Sequence, residues 1–111
     1  MKKVEAEIRK ERFEAVDAAL RRIGVPGLTV TEEERAARGM WNYPLERIRH
    51  LLVTVVVDDE GAGKVVESIK ESASTGSFGD GRISVTSVDS VLDIGSRGHD
   101  RSELLVPAFN N

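Results

Sequence analysis

One order of elements occurs twice in this chain, and that repeat constrains the fold more than any other feature. Residues 3–31 read as strand, helix, glycine-containing turn and strand, and residues 51–88 run through the same order. Over residues 3–9 the chain alternates, with Val4, Ala6 and Ile8 toward one face and Lys3, Glu5, Glu7 and Arg9 toward the other. That is the period of a half-exposed strand. From Glu11 the period lengthens, and Phe13, Val16, Leu20 and Ile23 fall on one helical stripe. Gly24 predicts the C-cap, and Pro26 prevents continuation. Residues 27–31 read as the second strand. Residues 51–57 are continuously apolar and β-branched apart from Thr54 in their middle, as expected of a central strand buried on both faces. Asp58 and Asp59 offer N-cap oxygens to a second helix, whose inward stripe is Val65 or Val66, Ile69 and Ala73. Residues 83–88 read as the fourth strand.

A doubled β-α-β unit on 111 residues predicts an α+β, ferredoxin-like plan: a four-stranded antiparallel sheet with both helices on one face. The length allows one domain, residues 1–111, with a modest core. The run at residues 51–57 has too few polar side chains to leave its second face in water, so that face is expected to be covered in an oligomer. Residues 34–48 show neither a strand period nor a core-helix period and read as a long connection. It holds the only Trp and the only Tyr, Trp41 and Tyr43. An aromatic pair in a polar connection either contacts a partner or tucks onto its own domain. The apolar run at residues 104–109 is expected to dock against the body or a neighbour.

Composition removes several function classes. The net charge of −3 and pI near 5.4 do not supply the basic surface that nucleic-acid binding requires. The strands also lack the aromatics on which RNA-binding domains of similar topology stack bases. There is no cysteine, which excludes disulfides, thiolate catalysis and Cys-based zinc sites. His50 and His99 are the only histidines and form no transition-metal motif. His99 beside Asp100 reads as a solvated pair rather than a catalytic one. An acylphosphatase-like cradle after the first strand would need glycine where the chain has Arg9, Lys10, Glu11 and Arg12. No leader and no membrane-length apolar run is visible, so a cytoplasmic protein is expected.

The stretch with most chemical content is residues 75–82, Thr-Gly-Ser-Phe-Gly-Asp-Gly-Arg. Glycine permits positive φ and leaves backbone N–H groups unshielded, and consecutive N–H groups in such a turn can cup an anion. Arg82 brings a planar donor fork to the same place. A connecting turn that is glycine-rich for geometry alone is the simpler reading of the composition.

In wider context the chain resembles the PII nitrogen-regulatory signal proteins and their PII-like relatives. The resemblance rests on residues 24–32 (Gly-Val-Pro-Gly-Leu-Thr-Val-Thr-Glu), 55–59 (Val-Val-Val-Asp-Asp), 75–83 and 88–94, with Arg97 and Gly98 nearby. Residues 75–82 are similar to the family's B-loop, residues 34–48 to a shortened T-loop, and residues 95–111 to the C-loop region and tail. The resemblance implies a homotrimer with an adenine nucleotide, ADP, AMP or ATP, in each cleft between subunits. It implies that Gly79, Asp80, Gly81 and Arg82 lie along the phosphates and that Arg38 reaches a terminal phosphate. Thr29 is then near the adenine, and Arg97 approaches from the neighbouring subunit. No further cofactor is implied. The implied function is non-catalytic: the nucleotide selects a conformation of residues 34–48, which engage a transporter or metabolic enzyme, bringing the protein to the membrane only through that partner. Trp41, Tyr43, Arg47 and Arg49 are the expected readout groups.

The departures from the family pattern are specific. Gly39 stands where the family has a Gln, and the Lys after the T-loop falls near His50. Those two serve magnesium-linked 2-oxoglutarate binding in the family, so 2-oxoglutarate sensing is not carried over. Some relatives are tied to bicarbonate transport and carbon metabolism and bind ADP, AMP or cyclic AMP. A small-anion site, for bicarbonate, at Arg38 and His50 is therefore an alternative, as is a ferredoxin-like enzyme with weak nucleotide hydrolysis. The simpler reading of His50 is a strand-edge side chain facing solvent.

Overall fold

The computed structural model describes residues 1–38, 45–92 and 94, with backbone only for residues 34–38 and 45–48. Four strands and two helices follow in the order β1 (Lys2–Arg9), α1 (Phe13–Arg22), β2 (Thr29–Arg38), β3 (Leu45–Val57), α2 (Asp59–Ala73) and β4 (Gly81–Ser87). The sheet order is β2-β3-β1-β4, and every neighbouring pair is antiparallel. This is the ferredoxin-like plan expected from the repeat.

The periodicities landed where the sequence put them. Val4, Ala6 and Ile8 are buried against Val53, Val55 and Val57, and Val16, Leu20, Val65, Ile69 and Ala73 close the core from the helices. Each fully buried branched side chain here contributes roughly 1.5–3 kcal/mol. Val65 rather than Val66 takes the inward position; Val66 packs at the margin. Asp58 caps α2 by accepting the Gly61 N–H at 2.6 Å. Gly24 ends α1 at φ 87, where its N–H and that of Val25 reach back to the carbonyls of Arg21 and Leu20.

The region of residues 34–48 corrects the sequence reading. It is not a long loop: the β2–β3 ladder continues to Arg38 opposite Leu45, so β2 runs well past residue 31 and β3 starts well before residue 51. Of this region residues 39–44, which include Trp41 and Tyr43, fall outside the described residues, as do residue 93 and residues 95–111, Arg97 among them. Beyond the core the two strands form a ribbon rich in charge, with Glu34 opposite Arg49 and Ala37 opposite Glu46. Backbone pairing draws on groups that every residue carries, and the ribbon's sequence shows no apolar alternation to mark it.

On the sheet face away from the helices, Leu52, Thr54 and Val56 are half-buried while Arg82, Ser84 and Thr86 are exposed. The strand over residues 51–57 is therefore central, but within one chain it is fully buried on one face only.

A self-filled glycine loop beside Arg82

Residues 74–80 link the end of α2 to β4, and three anchors fix the link. Arg12 donates from Nε (3.0 Å) and Nη2 (2.6 Å) to the carbonyl of Ser72 at the C-terminal end of α2. Arg9, at the end of β1, donates from Nε to Asp80 Oδ1 at 2.9 Å and from Nη2 to the Phe78 carbonyl at 2.7 Å. His50, on β3 directly opposite Arg9, donates from Nε2 to the Gly79 carbonyl at 2.8 Å. A carbonyl only accepts, so Nε2 of this imidazole carries a hydrogen.

His50 was expected at a strand edge facing solvent. It is instead fully buried on a central strand, because the loop folds over the end of β1 and β3 and covers it.

Gly76, Gly79 and Gly81 all have left-handed backbone, with φ of 79, 88 and 118. Gly81 also has a steric reason. A Cβ there would lie 1.7 Å from the carbonyl oxygen of Glu7, so β1 and β4 can pair at this point only through glycine.

The loop already holds an anion, its own Asp80. The carboxylate accepts the Thr75 N–H at 2.8 Å, the Gly76 N–H at 3.1 Å, the Thr75 hydroxyl, and Arg9. Burial raises the pKa of Asp80, but the hydrogen bonds from the Thr75 hydroxyl and amide, together with Arg9, outweigh it and hold the carboxyl well below the usual carboxylate range. Thr75 Oγ1 also takes the Ser77 N–H at 3.3 Å. The N–H groups of Thr75, Gly76 and Ser77 are thus spent inside the loop. Those of Phe78 and Gly79 have no acceptor among the described residues. The peptide bonds of the described residues are trans, so each N–H points opposite to the preceding C=O. Arg9 holds the Phe78 carbonyl, so the Gly79 N–H points away from Arg9.

Three residues after Gly79 comes Arg82, the second residue of β4. It is 70% exposed and donates from Nη2 to Glu7 Oε1 at 3.3 Å. Glu7, Asp80, Gly81 and Arg82 line an open cavity of about 380 Å³ together with Lys70 and Ser74 and the apolar Val66, Ile69 and Ile83.

Of the residues singled out from the sequence, Gly79, Asp80, Gly81 and Arg82 are brought together. Thr29 opens β2 at the opposite edge of the sheet, roughly 14 Å from β4 across three strand spacings. Arg38 lies five residues further along β2 than the level of His50, roughly 17 Å up the ribbon. One chain therefore unites neither Thr29 nor Arg38 with the loop, and it does not pair Arg38 with His50. Arg49 is exposed on the ribbon, 3.9 Å from Glu32. Of Arg47 only the backbone, within β3, is described. Arg9 was missed as a site residue, and the alternation of residues 3–9 gave its only signal, an outward cation at the end of a strand.

The sequence profile of the nitrogen regulatory protein P-II matches residues 1–98. The chain belongs to the P-II family. A nitrogen regulatory protein P-II 1 of Methanothermobacter thermautotrophicus is 35% identical over 113 aligned positions, which take in 94% of this chain and 97% of the relative. A P-II protein of Rhizobium meliloti is 36% identical over 102 positions (85% and 91%), and one of Nostoc punctiforme 38% over 103 (85% and 91%). These P-II relatives are named as regulators, and trimeric assembly is the norm of the family. Among the described residues no helix is long and apolar enough to cross a membrane.

Proposed function

We propose that this P-II protein is a non-catalytic signalling protein that binds adenine nucleotides, ATP, ADP or AMP, with their phosphates on the loop of residues 78–82. The observation that carries the reading is a glycine loop whose Phe78 carbonyl is held by Arg9, followed at once in the chain by the exposed fork of Arg82. Two adjacent N–H groups and a guanidinium make a compact donor set for a phosphate. Asp80 then acts as the loop's internal brace, leaving Gly79, Gly81 and Arg82 for the ligand.

The site is completed in a homotrimer. Thr29 and Arg82 lie on opposite edges of the sheet, so a nucleotide touching both would lie in a cleft between subunits, where Arg97 of a neighbour would join. The half-buried face around Leu52 and Val56 fits the same assembly. The β2–β3 ribbon with residues 39–44 at its tip, including Trp41 and Tyr43, is the partner-binding element. A membrane transporter or a metabolic enzyme of nitrogen or carbon (bicarbonate) metabolism is the partner class, and the setting is the cytoplasm. Nucleotide acts by binding one ribbon arrangement better than another.

Calorimetric titration with ATP, ADP and AMP tests this reading. Saturable binding that weakens at least tenfold in Arg82→Ala supports it. Absence of binding at millimolar nucleotide overturns it.

A further inference from the structure

Glu7 occupies an unusual position for a carboxylate. It lies on the sheet face away from the helices, between Leu52 of β3 and Arg82 of β4 in the register. Its side chain is only 16% exposed, whereas its partner Arg82 is 70% exposed. A carboxylate this well covered is held in place and needs a compensating charge. Arg9, two residues on and on the same face, is committed to Asp80 and the Phe78 carbonyl. Arg82 donates to Glu7 at 3.3 Å and is the exposed member of the pair.

We propose that Glu7 is a specificity-determining residue that competes with ligand phosphate for Arg82 and so limits the advantage of a triphosphate over a monophosphate. The proposal rests on the phosphate-binding reading of the loop. A phosphate that reaches the Arg82 fork meets a fixed negative charge 3.3 Å from one of its nitrogens. It must share the guanidinium or displace Glu7, and each further phosphate charge is repelled by the same carboxylate. The close backbone contact between Glu7 and Gly81 keeps β1 from drawing the carboxylate away. The consequence is a site whose response to ATP, ADP and AMP is flattened relative to what its cations alone would give.

The test is calorimetry on full-length wild type, Glu7→Gln and Glu7→Asp with ATP, AMP and adenosine. Glu7→Gln keeps the shape and removes the charge. ATP is expected to bind about two- to fivefold tighter, the range of a partly exposed ion pair, with a smaller gain for AMP and no change for adenosine. A merely structural role would move adenosine as well. Glu7→Asp withdraws the carboxylate by one methylene and is expected to shift the ATP-to-AMP ratio the same way; it serves if the Gln variant does not fold. If wild type binds ATP in an Arg82-dependent manner and neither variant changes that ratio, this inference falls while the site stands. If wild type binds none of the nucleotides, the phosphate reading and this inference fall together.

Discussion

Replacing Asp80 by Asn gives the most informative perturbation of the loop. The carboxylate receives four donors: the amides of Thr75 and Gly76 on Oδ2, and Arg9 Nε and the Thr75 hydroxyl on Oδ1. An amide side chain offers one acceptor oxygen and turns an NH2 group toward the remaining donors. At least two of the four bonds are lost, and the ion pair with Arg9 loses its charge. Net hydrogen-bond contributions of about 1 kcal/mol each, somewhat more to a charged acceptor, put the local cost at roughly 2–3 kcal/mol. That cost falls on the loop rather than on the core, because none of the four donors belongs to the buried apolar cluster. Amide hydrogen exchange reads it directly. Exchange at Thr75 and Gly76 is expected to speed up by roughly 30- to 150-fold in Asp80→Asn, at about 1.4 kcal/mol per decade, while Val53 and Val65 stay protected. Unchanged exchange at Thr75 and Gly76 would refute the claim that the carboxylate holds the loop closed.

Three further outcomes follow from the same contacts. The folded-state pKa of Asp80 lies below its ordinary value, so its contribution to stability is complete above the unfolded carboxylate pKa of about 3.9 and is lost as pH falls from there toward the folded value. Denaturant midpoints compared between pH 7 and pH 3 should therefore fall less in Asp80→Asn than in wild type. Gly81→Ala combines a φ of 118 with a Cβ 1.7 Å from the Glu7 carbonyl; a loss of more than about 3 kcal/mol of stability is expected in chemical denaturation. Arg9→Met keeps the stem but releases the Phe78 carbonyl and Asp80, and about tenfold weaker ATP binding is expected by calorimetry with the fold retained by circular dichroism.

The core of this fold was legible because its elements carry one buried face each. Val4, Ala6 and Ile8 at period two, and Val16 with Leu20 at helical spacing, record burial in the sequence, as does the largely apolar run at residues 51–57 that became the inner part of β3. The outer part of that strand was not legible. From Glu32 to Arg38 and from Leu45 to Arg49 the ladder runs beyond the body, and its pairing rests on backbone groups that every residue possesses. Glycine, Asp and Arg in residues 75–82 marked the loop correctly as a place of positive φ. Their division of labour was hidden. Whether Asp80 faces a ligand or the loop's own amides depends on Thr75 and on Arg9, the latter some seventy positions away in sequence. His50 was misread for the same reason. Its burial comes from a loop folded over it, and the register that sets Arg9 beside His50 is a tertiary fact with no local signature.

The central claim is that the amides of Phe78 and Gly79, which have no acceptor among the described residues, receive nucleotide phosphate together with Arg82. Its most direct test is a titration of isotope-labelled protein with ATP, followed by the backbone amide resonances and the Arg82 side-chain signal. The account predicts saturable shifts concentrated at Phe78, Gly79 and Arg82, with Thr75 and Gly76 moving little because Asp80 already occupies them. Saturable shifts that spare Phe78, Gly79 and Arg82, or no shift at all at millimolar ATP, would contradict it.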